Sequence, residues 1–149
     1  MTTAHADTIS PNTAALMSLL DQECNALRDF VEALEQEQQL LARSADMEAL
    51  PGLVERKSAL YRQLNSLGNA RNAWLNANRF ADITAASSVF AGVGVQWQEI
   101  IALAKVAKSN NETNGRLVRT RMSYNRAALD SIRAAHGTTP TVYGRDGRF

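Results

Sequence analysis

The sequence has few of the residues that disulfides and metal sites require. Its only cysteine, Cys24, excludes an internal disulfide and disfavours a Cys-based zinc site, which needs at least two thiolates. The two histidines, His5 and His136, lie at opposite ends of the chain, and neither an HExxH nor a CxxC motif is present. No nucleophilic triad or paired general acid and base stands out. We therefore expect no metal, no cofactor and no enzymatic activity.

Long apolar runs and sorting signals are also lacking. Residues 1–15 contain neither an apolar core nor a basic start, so no secretory signal peptide is expected. No stretch approaches the ~20 consecutive apolar residues that a membrane-spanning helix needs. Apolar residues nevertheless make up 45% of the 149-residue chain, which is enough to build a folded core. These features predict a protein of the reducing cytoplasm without membrane insertion.

Proline is scarce, and this leaves two long stretches available to helix. Pro11, Pro51 and Pro140 lie near the start, the middle and the end of the chain. On both sides of the central proline, large apolar residues recur every seven positions. They are Leu20, Leu27, Leu34 and Leu41 in the first series, and Leu53, Leu60, Leu67 and Trp74 in the second. Two such seams joined by a short turn predict an antiparallel, coiled-coil-like helical hairpin over residues 12–77.

A third pattern, with alternating steps of four and three, runs through residues 95–135. It predicts a long C-terminal helix, so the expected fold is all-α: an elongated bundle of the hairpin and this helix. The apolar members of the seam are Trp97, Ile101, Ala104, Val118, Met122, Leu129 and Ile132. Its polar members are Lys108, Asn111, Gly115 and Asn125. Polar positions of this kind either fix the register inside a bundle or contact a partner helix.

The remaining segments complete the interpretation of the chain as a single domain. Residues 78–94 are rich in small side chains and are expected to form an irregular connection with room for a short helix. Residues 1–11 are polar and short-sided, and residues 136–149 contain a proline and several glycines. Both ends are therefore expected to be flexible.

Charge is distributed unevenly along the chain. Residues 12–44 carry two basic and six acidic side chains, whereas residues 105–149 carry nine basic and three acidic ones. The arginines 119, 126 and 133 share one stripe of the third helix. Packing of the basic helix against the acidic one is the favoured interpretation, and a nucleic-acid surface is the alternative. Only one aromatic residue, Tyr124, lies near the arginines, which disfavours that alternative.

Two carboxylates, Glu23 and Glu37, fall on the apolar seam of the first helix. Carboxylates in such positions usually reach out to water or pair with a base from a neighbouring helix, such as Lys57, Arg71 or Lys108. A role as poised acids is the disfavoured alternative. Cys24, next to the leucines of the same seam, is expected to be a small buried hydrophobic side chain.

Several segments occur together in the order typical of one known family. The first two helices contain LMSLLDQECNAL and ERKSALYRQLNSL, the third contains Trp97-Gln98 and the segment NNETNGRLV, and the chain closes with PTVYGRDGR. In this order, and over nearly the whole chain, the sequence resembles the FlgN family of flagellar export chaperones. The pairing of Asn114-Gly115 in a long helix with the Tyr-Gly-x-Asp-Gly tail makes the resemblance fairly specific.

The resemblance implies a cytoplasmic chaperone of the flagellar type III secretion system that catalyses no reaction. Such proteins bind the hook–filament junction proteins FlgK and FlgL, shield their C-terminal helices and deliver them to the export gate protein FlhA. We predict that the third helix binds this cargo and that the tail docks on the gate. The predicted cargo-binding residues are Trp97, Ile101, Asn111, Asn114, Gly115, Leu117, Val118, Met122 and Leu129. The predicted docking residues are Tyr143, Gly144, Asp146 and Gly147.

Two other functions are compatible with the same helices. One is a structural coiled-coil adaptor without an export role, and the other is a helical nucleic-acid-binding protein. For the export chaperone, self-association in the absence of cargo is a further expectation.

Overall fold

Four α-helices and no β-strand make up the described residues of the computed structural model, which are 11–43 and 48–136. The helices are α1 (Pro11–Ala42), α2 (Leu50–Ala77), α3 (Ile83–Val89) and α4 (Ala91–Ala135). The predicted all-α class is thus confirmed. Within these residues, no helix combines the length and the apolar character that crossing a membrane demands.

Helices α1 and α2 form an antiparallel hairpin. Glu23 in the first half of α1 pairs with Arg71 in the second half of α2, whereas Glu37 near the end of α1 pairs with Lys57 near the start of α2. Pairing in this reversed order requires opposite helix directions. Pro51 lies at the very start of α2, where its missing N–H removes no helical hydrogen bond.

The segment predicted to be an irregular connection contains α3 and the start of α4. Asp82 begins α3, because its carboxylate accepts a hydrogen bond of 2.9 Å from the backbone N–H of Ala85. Just before it, Phe80 stacks on Trp74 with the ring centroids 5.9 Å apart and meets Phe90 edge-on at 6.0 Å. This capping bond and the aromatic contacts give the segment a defined conformation that its small-residue composition does not reveal.

The chain divides into two compact units, Met1–Asn114 and Gly115–Phe149, which we call the N-terminal unit and the C-terminal unit. In the N-terminal unit, α4 runs parallel to α1. Gln96 donates a hydrogen bond to Asp21, and Asn114 donates one to the backbone carbonyl of Leu34, so contacts advance in the same direction along both helices. The core cluster consists of Leu16, Leu20, Cys24, Leu27, Leu75, Ile83, Ala86, Val93 and Ile100.

The face that α4 buries in this unit differs from the predicted seam. The buried residues are again seven apart, but they are Val93, Ile100, Ala107 and Asn114. The predicted positions Ala104, Lys108 and Asn111 are exposed. The prediction was one residue out of register here, because turning Ile100 and the small Ala107 toward α1 keeps the ammonium group of Lys108 in water.

Candidate protein-binding surface

An exposed apolar stripe runs along α4 within the C-terminal unit. Val118, Met122, Leu129 and Ile132 are exposed by 39%, 62%, 52% and 54%, respectively. Their spacing of four, seven and three residues places them on one side of the helix. We call these four residues the α4 stripe. Apolar side chains in this spacing normally pack against another element, so the uncovered stripe is the strongest candidate for a protein-binding surface.

Two small or polar residues, Gly115 and Asn125, complete the spacing of the stripe. A Cβ atom at Gly115 would lie 3.5 Å from the Arg119 guanidinium, an ordinary contact, so space within the unit does not require glycine there. A glycine on a helix face lets another helix approach its backbone closely. Asn125 is exposed and has an amide to offer a partner, whereas the predicted residue Leu117 is half-buried and lies beside the stripe.

The helix around the stripe is strongly basic. Residues 115–136 contain five arginines and one acidic residue, Asp130. Arg133 in the last turn stabilises the negative end of the helix dipole. Tyr124 is 72% exposed and is the only aromatic residue in this range. The surface therefore combines apolar side chains with a positive charge, and it contains almost no stacking platform for nucleic-acid bases.

Asn114, one of the predicted cargo-binding residues, is buried in the N-terminal unit with 1% exposure. Its side-chain amide donates hydrogen bonds to the carbonyl of Leu34 at 2.8 Å and to a carboxylate oxygen of Glu37 at 2.9 Å. Both oxygens of Glu37 also accept from the Lys57 ammonium at 3.1 Å. The amide thus connects α4 to the ion pair of the hairpin and fixes the register of the helices.

The other predicted cargo-binding residues of the N-terminal unit lie in different environments. Trp97 is half-buried against the core, and the Arg71 guanidinium lies 4.7 Å from the centroid of its ring. Ile101 is half-buried. Asn111 is exposed at the border of an open groove of about 620 Å³, whose lining includes Phe30 and Tyr61. These residues do not form one continuous exposed surface.

Of the two arrangements expected for the seam carboxylates, solvent exposure or pairing, the structure shows pairing. Glu23 pairs with Arg71 and Glu37 with Lys57, while Lys108 takes no part. Thus α2 provides the cations for both buried acids of α1. Cys24 is buried as predicted, with 1% exposure. Burial, followed by the nearby Glu99 carboxylate, raises the pKa of its thiol.

The predicted docking residues Tyr143, Gly144, Asp146 and Gly147 lie outside the described residues. Over residues 11–43 and 48–136, no group of three or more His, Cys, Asp or Glu side chains is arranged to hold a metal ion. No sequence pattern marks Asn114 as a buried residue. A seam carboxylate such as Glu37 was the only available signal of a buried polar cluster.

Comparison with known proteins places the chain in a family. The family model described as FlgN protein matches residues 9–148. A "Flagella synthesis protein FlgN" of Yersinia enterocolitica is 31% identical over 133 residues, which cover 89% of this chain and 87% of the relative. The protein of the same name from Salmonella typhimurium is 29% identical and covers 89% of both chains. No solved structure matches the chain. The resemblance found in the sequence is confirmed, and the chain belongs to the FlgN family.

Proposed function

We propose that the chain is a cytoplasmic flagellar type III export chaperone. It binds and shields the C-terminal helices of the hook–filament junction proteins FlgK and FlgL and delivers them to the export gate protein FlhA. Family membership and the flagella synthesis proteins among its relatives support a flagellar role. The single observation that supports helix binding is the uncovered α4 stripe.

The stripe has the chemistry that helix-to-helix recognition requires. Burying each large apolar side chain contributes about 1.5–3 kcal/mol, from which the cost of association is subtracted. A partner helix that covers Met122 and Leu129 with its own apolar face uses the helix-in-groove or coiled-coil mode of recognition. Junction proteins must stay unassembled until they reach the growing structure, and covering their coiled-coil-forming ends prevents premature pairing.

Co-purification with purified FlgK or FlgL tests the proposal. The wild-type chain is expected to retain the junction protein at one-to-one stoichiometry. Val118→Asp or Met122→Asp places a carboxylate in the contact and should abolish retention. Thr120→Asp is the matched control, because Thr120 is exposed and lies about 200° around the helix from both positions. Normal retention by both stripe variants would contradict the proposed cargo surface.

The tail is the proposed contact with the export gate. Tyr143 has an apolar ring and a hydroxyl group, which suit a pocket with a polar rim, and Gly144, Asp146 and Gly147 are the other proposed docking residues. Tyr143→Ala should weaken binding to the cytoplasmic domain of FlhA while leaving junction-protein binding intact. Equal gate affinities of the variant and the parent would refute the role of Tyr143 without affecting the cargo surface.

A further inference from the structure

The α4 stripe lies in a heptad register that defines its flanks. Gly115, Val118, Met122, Asn125, Leu129 and Ile132 alternate in steps of three and four, as positions a and d of a coiled-coil seam do. Position e, which borders the seam on one side, is then occupied by an arginine in three successive heptads. These residues, which we call the arginine row, are Arg119, Arg126 and Arg133.

The opposite flank, position g, holds no acid either. It contains Arg121, Ala128 and Ala135, and the only acidic residue of the described C-terminal unit, Asp130, is at the outward position b. Arg119 and Arg126 have no acidic partner among the described residues. The apolar stripe is therefore bordered by arginine and alanine, and by no carboxylate.

This arrangement opposes pairing of the stripe with a second copy of itself. In an antiparallel pair, position e faces position e, so arginine would face arginine. In a parallel pair, position e faces position g, so the arginine row would face Arg121 or alanine. Like charges across the seam are destabilising, and neither orientation supplies a carboxylate. Self-association in the absence of cargo would therefore need another surface.

We infer that the α4 stripe binds a helix of another chain that carries glutamate or aspartate beside its own apolar seam. The inference rests on the proposed function, because it takes the stripe as the cargo-binding surface. Arginine suits this position: its methylene stem covers the edge of the seam, and its guanidinium forms paired hydrogen bonds with a carboxylate. The apolar stripe supplies affinity, and the arginine row selects acidic partners over basic ones.

Two synthetic amphipathic peptides of equal length test the inference. Both have leucine at positions a and d. One has glutamate and the other lysine at positions e and g. Fluorescence anisotropy with the full chain should show the glutamate peptide binding roughly tenfold more tightly, because ion pairs with Arg119 and Arg126 favour glutamate while the same arginines repel lysine. The preference should shrink as salt is raised.

Reversing the charge of the arginine row provides a second test of the inference. The triple variant R119E/R126E/R133E should prefer the lysine peptide, whereas R119Q/R126Q/R133Q should bind both peptides about equally. Circular dichroism verifies that each variant remains helical. Equal binding of both peptides by the wild-type chain, or a retained preference for glutamate in the reversed variant, would overturn the inference.

Two further measurements separate this inference from its alternatives. A mixed-sequence DNA duplex that displaces the glutamate peptide at low concentration would assign the arginines to nucleic acid and overturn the inference. Retention of junction proteins without any discrimination between the peptides would leave the proposed function standing and refute the acidic partner. Discrimination between the peptides without retention of junction proteins would refute the proposed function and support the acidic partner.

Discussion

The two parts of α4 carry similar apolar spacing and use it in opposite ways. In the N-terminal unit, Val93 and Ile100 are buried in the core with the leucines of α1. In the C-terminal unit, Met122 and Leu129 are exposed by 62% and 52%. Heptad spacing therefore identifies a face that can pack, but it does not say whether the same chain covers that face. A partner that covers the exposed side chains of the C-terminal unit would remove their apolar surface from water.

A pair of leucine truncations gives the largest contrast between the two units. Leu34 is fully buried, so Leu34→Ala should lower the free energy of unfolding by about 2–5 kcal/mol through lost burial and a residual cavity. Leu129 is 52% exposed, so Leu129→Ala should change that free energy by no more than about 0.5 kcal/mol. Urea denaturation followed by circular dichroism measures both. Equal losses would mean that the stripe is covered in the isolated chain.

The Glu23–Arg71 ion pair between α1 and α2 provides the next contrast, between a half-buried and an exposed arginine. Arg71→Ala leaves the Glu23 carboxylate, which is 7% exposed, without its cation and also removes the contact with Trp97. Breaking such a partly buried pair should cost about 3 kcal/mol. Arg126→Ala removes an exposed arginine of the arginine row and should be nearly neutral in the isolated chain. Thermal unfolding that fails to separate the two variants would contradict the structural role of Arg71.

Substitutions of two asparagines of α4, one buried and one exposed, compare the same two units with a smaller expected change in the free energy of unfolding. Asn114→Ala removes the buried amide that bonds the Leu34 carbonyl and Glu37, and should cost about 1–2 kcal/mol. Asn125→Ala, at an exposed position of the C-terminal unit, should leave the free energy of unfolding within about 0.5 kcal/mol. Denaturant titration of both variants checks this. A neutral Asn114→Ala would show that the network does not fix the register of α4.

The smallest expected effect concerns the pH dependence of stability near Cys24. Because the folded-state pKa of the thiol is raised above its usual 9.0, folding favours the protonated form. The associated stability is present below the unfolded-state pKa and is lost as the pH rises toward the folded-state pKa. The wild-type chain should thus lose stability relative to Cys24→Ala above about pH 9. Parallel losses in both proteins would show that the thiol does not contribute.

Several features of the fold and of the surface were predictable from the sequence. Leucines at intervals of seven predicted the hairpin. Lys57 and Arg71 were among the candidate partners of the two seam carboxylates, and the structure pairs them with Glu37 and Glu23. The stripe residues Val118, Met122 and Leu129 were predicted as binding residues because they continue an apolar period. The exact packed face of α4 was not predictable, because two neighbouring residue rows differ by only 100° and both contain apolar side chains.

The sequence by itself determined which segments become the three long helices, which faces are apolar and which sign of charge borders each face, because period and composition are local properties. Only the tertiary structure decided which face is covered. It buried Asn114 beside Glu37 and left Met122 in solvent, although both lie on the same helix. The physical reason is that a side chain is buried only where another element excludes water from it. A polar side chain tolerates burial where residues distant in the sequence supply its hydrogen-bond partners.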